Sequence, residues 1–228
     1  MAATRLSLTH TEENYLKAIY KTNQSTKEAV STNMIAQEMK TSPASVTDMM
    51  KKLANKDLII YEKYRGARLS ATGSKTATSL IRKHRLWETF LVQKLGFSWE
   101  EVHEIAEELE HINSDKLIDK LDKYLGHPKY DPHGDPIPNA EGKFTLREQI
   151  AISRLQPGDN CVLVGVKNHE ADFLNHLNNY SIGLGTELLV KEKSSYDQSM
   201  KIVVDQKEEA LLSHRVCSNL LVRKVITS

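Results

Sequence analysis

The stretch that decides the fold of the N-terminal third is STNMIAQEMKTSPASVTDMMKKLANKDLIIYEKYRGARLS, residues 31–70. The dipeptide Ser42-Pro43 pairs a helix-capping residue with one suited to the first helical position, so it predicts a helix over 43–55. A shorter helix, capped by Ser31 or Thr32, precedes it after only a brief interruption. Two short helices joined by a tight turn form a helix-turn-helix.

The residues after this helix predict a β-hairpin. An apolar run, Leu58 to Tyr61, is followed by a basic turn that contains Gly66 and then by Leu69-Ser70. Strand, glycine-containing turn and strand are typical of a hairpin. With the apolar helical stripe that begins at Thr11, the pattern predicts a winged helix-turn-helix domain over residues 1–72.

The basic residues of the chain are concentrated in this first third. Residues 1–72 contain 11 Lys and Arg against 7 Asp and Glu, although the net charge of the whole chain is only +1. Small polar side chains can approach base edges while Lys and Arg neutralise phosphates, which favours double-stranded DNA over a protein partner. The candidate base-reading residues are Ser42, Ala44, Ser45 and Thr47, and the candidate phosphate contacts are Lys51, Lys52, Lys63, Arg65 and Arg68.

Acidic and imidazole side chains recur at helical spacing in the middle of the chain. His84 and Glu88 are four residues apart, and His103, Glu107 and His111 repeat that spacing with Glu110 among them. Residues three or four apart share one face of a helix, and carboxylates with imidazoles suit Mn²⁺ or Fe²⁺. A Glu-rich run is commonly a solvated helix face, but the interleaved histidines favour a metal site.

Residues 73–142 predict a helical domain that ends in a proline-rich linker. Apolar stripes mark one long helix, a second helix capped by Ser98, and a third from Asp115 to Leu125. Three such elements carry more apolar surface than they can bury alone, so dimerisation is expected. Gly126 to Gly142 contains four prolines and reads as an irregular linker.

Residues 143–228 predict a small SH3-like β-barrel. Short alternating runs indicate strands, and Asp172 to Asn178 reads as one short helix. The fold class is therefore mainly α with a winged helix-turn-helix, a helical dimerisation domain and a C-terminal β-barrel. The predicted strands are Cys161 to Val166, Thr186 to Lys193, Met200 to Asp205 and Leu220 to Val225.

Composition excludes several other classes of protein. The N-terminus lacks the apolar core of a signal peptide, and no run approaches the ~18 to 20 apolar residues of a membrane span. Cys161 and Cys217 are too few for a disulfide framework. We therefore expect a cytoplasmic protein with no membrane partner.

Five stretches, taken in order, resemble the metal-dependent repressors typified by the diphtheria toxin repressor and the manganese transport regulator. They are Glu13–Tyr20, Ile60–Gly66, Arg82–Glu88, Glu107–His111 and His133–Pro138. The similarity runs along almost the whole chain. It implies a homodimer that binds operator DNA when loaded with metal and represses metal-uptake genes, not an enzyme with a small organic substrate.

The resemblance also implies two metal sites per subunit. In the ancillary site two side chains of the third domain would complete the set, with Glu170 as an alternative. The other interpretation of that pair is helix capping by Asp172 and a solvated His169. The implied ancillary ligands are His84, Glu88, His103, His169 and Asp172, and the implied primary ligands are Asn14, Glu107, Glu110 and His111.

Two positions depart from the family pattern. Asn14 stands where the family commonly has Asp or Met, and its amide oxygen can coordinate without charge. Glu107 replaces the Cys of the diphtheria-type iron regulators, and a carboxylate favours a harder ion than a thiolate does. The resemblance therefore implies Mn²⁺, with Fe²⁺ as the alternative.

A di-iron or di-manganese carboxylate enzyme is the alternative function. Glu100-x-x-His103 and Glu108-x-x-His111 both fit the Glu-x-x-His pattern of that class. Such enzymes need the motif on two helices with further Glu residues on two more, whereas both copies here are predicted on one helix.

Overall fold

The computed structural model describes residues 8–26, 28–63 and 65–225. The chain divides into two compact units. The first holds residues 1–84, 110–113 and 138–143, and the second holds residues 85–109, 114–137 and 144–228. Among the described helices, none is long and apolar enough to cross a membrane.

The first unit contains the predicted winged helix-turn-helix, which is confirmed. Ser31 and Ser42 cap the second and third helices by accepting hydrogen bonds from the backbone N–H groups of Met34 and Ser45. Tyr64, in the turn of the wing, lies outside the described residues. The elements are α1 (His10–Thr26), α2 (Thr32–Glu38), α3 (Pro43–Asn55), β1 (Ile59–Glu62), β2 (Gly66–Leu69) and the first part of α4 (Ala71–Leu95).

The core of the winged helix follows the apolar stripes with one exception. The apolar side chain of Met34 is 37% exposed, because Ile35 and Ala36 take the buried face of the short α2. Gly66 begins β2 at a φ of +101°, and a Cβ there would lie 2.6 Å from the carbonyl oxygen of Val30. Only glycine tolerates both conditions, so Gly66 sets where the second strand of the wing begins.

The helical part of the second unit comprises the rest of α4 with α5 (Val102–Leu109) and α6 (Asp115–Tyr124). The expectation that Ser98 caps α5 is wrong. The Ser98 N–H and hydroxyl both donate to Glu101 Oε2, at 2.9 and 2.5 Å, which holds a turn before the helix. The helix also ends at Leu109, so Glu110 and His111 do not continue its face.

The rest of the second unit is a small β domain, which confirms the predicted fold class of the C-terminal part. Six antiparallel strands are paired in the order β3-β8-β4-β5-β6-β7 around a core that includes Cys161 and Cys217. The strands β3 and β7 and the helix α8 were not predicted. The elements are β3 (Ile150–Ala151), β4 (Asn160–Val166), α7 (Ala171–Asn178), β5 (Glu187–Lys193), β6 (Met200–Val204), β7 (Glu208–Leu212), α8 (His214–Asn219) and β8 (Leu220–Lys224).

Candidate metal centres and nucleic-acid face

Glu110 lies at the centre of a buried polar cluster in the first unit. Its side chain is 0% exposed, and Oε1 lies 2.6 Å from Lys17 Nζ while Oε2 lies 2.7 Å from His84 Nδ1. Burial by itself would raise the pKa of Glu110, but the hydrogen bond to His84 and the charge of Lys17 hold that pKa below its ordinary value. The carboxylate is therefore a buried anion that is kept charged by its neighbours.

Helix α1 brings further donor atoms to the same cluster. His111 Nδ1 lies 2.6 Å from Glu13 Oε2, and the ring of His10 stacks on His111 with 4.2 Å between centroids. Asn14 Oδ1 is buried and has no hydrogen-bond partner. A buried acceptor without a partner costs about 1–3 kcal/mol, so this oxygen is a candidate cation ligand.

Sequence reasoning missed Lys17, Glu13 and His10 in this cluster. One available signal was the spacing of Asn14 and Lys17, which are three residues apart and so share one face of α1. The basic character of Lys17 obscured the signal, because a lysine is not expected to line a cation site.

Glu88 is the centre of a second cluster, which lies within the second unit. Its side chain is 2% exposed, and Oε1 lies 3.4 Å from His103 Nδ1 and 3.7 Å from His133 Nδ1. Glu107 Oε1 in turn lies 3.8 Å from His103 Nε2. Glu88, Asp131 and His133 can each offer one ligand atom within 4.8 Å of the others, and all three are buried.

The third-domain residues of the implied ancillary set have different environments. His169 stacks on His133, with ring centroids 4.6 Å apart, and its Nε2 lies 3.3 Å from the carbonyl oxygen of Val166. Burial and the charge of His133 lower the pKa of His169 to about 4, which keeps it neutral. Asp172 is exposed in the first turn of α7, where a carboxylate favours the helix; Glu170 is the N-cap.

The donor chemistry of both clusters fits a divalent cation. Carboxylate and amide oxygens with imidazole nitrogens are the ligand types that Mn²⁺ and Fe²⁺ accept. Two buried atoms without hydrogen-bond partners, Asn14 Oδ1 and His133 Nδ1, belong to these clusters. Unpartnered polar atoms are rare in protein interiors, so each is an observation in favour of a ligand.

The predicted recognition face of α3 is exposed, but some of its polar groups already have partners. Ser42 Oγ caps the helix and lies 2.9 Å from Ser45 Oγ, and the half-buried Thr47 donates its hydroxyl to the carbonyl oxygen of Pro43. Ala44 is exposed.

The basic residues of this face and of the wing are also exposed. Lys51 pairs with Asp48 at 3.2 Å and Arg65 with Glu62 at 3.1 Å, both at exposed positions where such pairs are weak. Lys52 lies 3.2 Å from the buried Glu12, while Lys63 and Arg68 are exposed on the wing.

Comparison with known proteins agrees with this arrangement. Residues 7–67 match the family described as iron dependent repressor, N-terminal DNA binding domain, and residues 70–139 match its metal binding and dimerisation domain. A manganese-dependent transcriptional repressor, solved in complex with manganese, is 30% identical in sequence and superposes with a TM-score of 0.85. The superposition includes 94% of this chain and 100% of that chain. The chain belongs to the iron-dependent repressor family. The FeoA domain family matches residues 150–224.

Two curated members of the iron-dependent repressor family illustrate the extent of the similarity. The diphtheria toxin repressor of Corynebacterium jeikeium is 34% identical over 134 residues, which are 59% of this chain and 55% of that protein. The match to this relative thus spans about half of its length. The iron-dependent repressor IdeR of Mycobacterium leprae is 25% identical over 228 residues, which cover 96% of this chain and 99% of that protein.

Proposed function

We propose that this chain is a transcriptional repressor that responds to Mn²⁺ or Fe²⁺ and binds operator DNA as a metal-loaded homodimer. The observation that carries the proposal is the buried Glu110 cluster, where α1 of the winged helix supplies Asn14 Oδ1, an acceptor without a partner. The proposed domain boundaries are 1–72 for DNA binding, 73–142 for dimerisation and metal binding, and 143–228 for the SH3-like domain.

The proposed ligands follow the two clusters. In the first unit, Asn14, Glu110 and His111 provide an amide oxygen, a carboxylate and an imidazole. In the second unit, Glu88 and His103 provide a carboxylate and an imidazole, with His169 close by. The family resemblance adds His84, Glu107 and Asp172 to these proposed ligands.

Asn14 of α1, with Glu110 and His111, would hold a cation in the first cluster, and the cation would supply positive charge beside these donors. Helix α1 packs on α2 and β2 of the winged helix through Leu16 and Ile19, so holding α1 restrains the DNA-reading helix α3. A ligand that prefers the DNA-competent conformation raises DNA affinity by that preference, and DNA raises metal affinity equally.

The hydrogen bonds within the recognition face indicate which residues are available to contact bases and which are not. Ser42 and Thr47 have hydroxyl groups that are engaged in capping and in backbone contacts. Ser45 Oγ also lies 2.9 Å from Ser42 Oγ, so Ala44 is the stronger candidate for a base edge and Ser45 is the next. Lys51, Lys52, Lys63, Arg65 and Arg68 are assigned to phosphates.

A homodimer is supported by apolar side chains left exposed on the helices of the second unit. Leu95, Leu117 and Tyr124 are 57%, 38% and 64% exposed at the ends of α4 and along α6. Apolar surface of this kind marks protein interfaces. Two recognition helices about one DNA turn apart, ~34 Å, are the usual requirement of a dimeric helix-turn-helix.

The alternative of a di-metal carboxylate enzyme has no support from the helix boundaries. Glu100 precedes α5 and His111 follows it, so the two Glu-x-x-His patterns are not carried on one continuous helix. The family is one of transcriptional repressors, and we assign no catalytic residue.

The test is a DNA-binding titration with and without metal. With Mn²⁺, selected operator fragments should bind tightly, and with a chelator only weak, salt-sensitive binding should remain. His111→Ala should abolish the response to Mn²⁺ while leaving a folded dimer, and His176→Ala, on the exposed face of α7, is the matched control. Equal operator affinity in Mn²⁺ and in chelator would refute the proposal.

A further inference from the structure

We propose that Glu12 is a positioning residue that ties helix α1 to the C-terminal end of the recognition helix α3 through Lys52 and Lys56. The inference rests on the proposed function, because it says how a restraint on α1 reaches the DNA-reading helix. All three side chains belong to the first unit. Glu12 lies in the first turn of α1, two residues before Asn14, whereas Lys52 is in the last turn of α3 and Lys56 is its C-cap.

One oxygen of the Glu12 carboxylate is fixed to the start of its own helix. The side chain is 0% exposed, and Oε2 accepts a hydrogen bond from the Thr9 N–H at 2.9 Å. Thr9 Oγ1 in turn accepts the Glu12 N–H at 3.3 Å. This reciprocal pair is a capping box, which satisfies backbone donors at the start of a helix. The carboxylate therefore moves with the first turn of α1, and Oε1 is left for partners from elsewhere.

The other oxygen is shared by two ammonium groups from the end of α3. Glu12 Oε1 lies 2.7 Å from Lys56 Nζ and 3.2 Å from Lys52 Nζ. The two lysines are four residues apart, so their side chains lie on the same side of the helix end. The side chain of Lys56 is 28% exposed and that of Lys52 is 52% exposed. Lys56 is therefore held mainly by Glu12, whereas Lys52 keeps donors that can also reach a phosphate.

These ion pairs add a polar contact to the apolar packing between the two helices. One core cluster of the first unit contains side chains of both α1 and α3, among them Leu16, Ile19, Val46, Met50 and Leu53. Apolar contact is non-directional, whereas separating a buried carboxylate from its cation is strongly unfavourable. A shift of the first turn of α1 therefore either carries the end of α3 with it or breaks the ion pairs.

The competing explanation is that Lys56 contacts a DNA phosphate directly and that Glu12 only stabilises the fold. A lost phosphate contact weakens DNA binding by a similar factor with and without metal, because the contact itself does not involve the metal site. A tie between the two helices instead changes the ratio of the two affinities, since it carries the effect of metal on α1 to the DNA-reading helix.

The experiment measures the affinity of the full chain for an operator duplex selected with the wild-type protein in Mn²⁺. Fluorescence anisotropy gives the ratio of the dissociation constant in chelator to that in Mn²⁺, at a temperature where circular dichroism shows every variant to be folded. Glu12→Gln keeps the size of the side chain and an oxygen for the Thr9 N–H, and it should lower this ratio at least about 5-fold. Lys56→Met should lower the ratio similarly, and the double variant no further than either single variant. Glu38→Gln, at an exposed position of α2, is the matched control and should leave the ratio unchanged.

Two further measurements separate the tie from a purely structural role. Calorimetric titration of DNA-free Glu12→Gln with Mn²⁺ should give the wild-type affinity, because Glu12 is not among the proposed ligands. In the operator complex, the Mn²⁺ affinity of Glu12→Gln should fall by the same factor as the ratio of DNA affinities, as linkage requires. In chelator, the backbone amides in the last turn of α3 should exchange hydrogen faster in Glu12→Gln than in Glu38→Gln.

The outcomes distinguish this inference from the proposed function. A wild-type ratio in Glu12→Gln, equal hydrogen exchange at the end of α3, or a Lys56→Met protein that loses DNA affinity equally in Mn²⁺ and in chelator would overturn the inference alone. A weaker Mn²⁺ affinity of DNA-free Glu12→Gln would also overturn it, because Glu12 would then act on the metal site itself. A wild-type protein with the same operator affinity in Mn²⁺ and in chelator would refute the proposed function as well.

Discussion

Lys17 provides the sharpest test of how the first unit balances its buried charge. Its ammonium lies 2.6 Å from Glu110 Oε1, and the two side chains are 7% and 0% exposed. Replacing Lys17 with Met keeps most of the apolar stem but removes the charge. Glu110 then keeps His84 Nδ1 at 2.7 Å from Oε2 and His111 Nε2 at 4.0 Å from Oε1.

The expected loss follows from the burial of the pair. Removing one partner of a buried ion pair typically costs about 3–5 kcal/mol, and the hydrogen bond to His84 places this case near the lower end. For a chain of this size, each kcal/mol lowers the melting temperature by about 2–4 °C, so Lys17→Met should melt about 6–12 °C lower in chelator. Lys21→Met, at an exposed position one turn further along α1, should differ from wild type by less than about 0.5 kcal/mol.

Mn²⁺ should reverse most of this loss of stability if Glu110 is a ligand. The metal ion replaces the positive charge of Lys17, and without the ammonium it has Glu110 Oε1 to itself. The rise in melting temperature on adding Mn²⁺ should therefore be larger in Lys17→Met than in wild type. The double variant Lys17→Met/Glu110→Leu should regain stability in chelator and lose the response to Mn²⁺. Equal melting temperatures for Lys17→Met and Lys21→Met in chelator would refute the reasoning.

Three further predictions concern the winged helix. Gly66→Ala should disrupt the wing and weaken DNA binding in fluorescence anisotropy, because its Cβ would lie 2.6 Å from the Val30 carbonyl oxygen; Gly96→Ala, also at positive φ but with open space around it, should bind as wild type does. Arg68→Ala should weaken binding to all sequences and reduce the salt slope by about one unit, and a changed sequence preference at unchanged slope would contradict a phosphate contact. The pKa of Glu12 is lowered from 4.5 to about 2, because the partners Lys56, Thr9 and Lys52 outweigh the opposing effect of burial. Ionised Glu12 therefore stabilises the fold above pH 4.5, and this stabilisation is lost as the pH falls toward 2. The difference in unfolding free energy between wild type and Glu12→Gln, measured by urea titration, should shrink across that window, and a constant difference would count against it.

Local signals were sufficient for most of the secondary structure. Ser42 and Pro43 predicted the start of α3 at the residue where it begins, because a helix cap depends only on neighbouring backbone groups. Four strands of the C-terminal domain, β4, β5, β6 and β8, were predicted from their alternation. The strand β7 was missed, since Glu208 and Glu209 hide an edge strand whose buried face is only Ala210 and Leu212.

The ends of α5 were decided by contacts that periodicity does not contain. The Glu and His spacing from Glu100 to His111 predicted one continuous helical face, yet α5 covers only Val102–Leu109. Glu101 folds back on Ser98 at one end, and at the other Glu110 and His111 turn toward residues of α1 and α4. Spacing predicted the donor types but could not say which of them share a cluster.

The sequence by itself predicted the candidate donors that lie in recognisable patterns: His84, Glu88, His103, Glu107, Glu110 and His111. Only the tertiary structure brought in Lys17 and His133, which are 93 and 45 residues from the glutamates beside which they lie. A local signal existed for Lys17 in its spacing from Asn14, but a lysine is not expected to line a cation site, so the sequence did not single it out. A buried carboxylate is costly unless a polar or charged partner lies beside it. Glu110 and Glu88 are buried, and their partners come from distant parts of the chain, so only the tertiary structure identifies them.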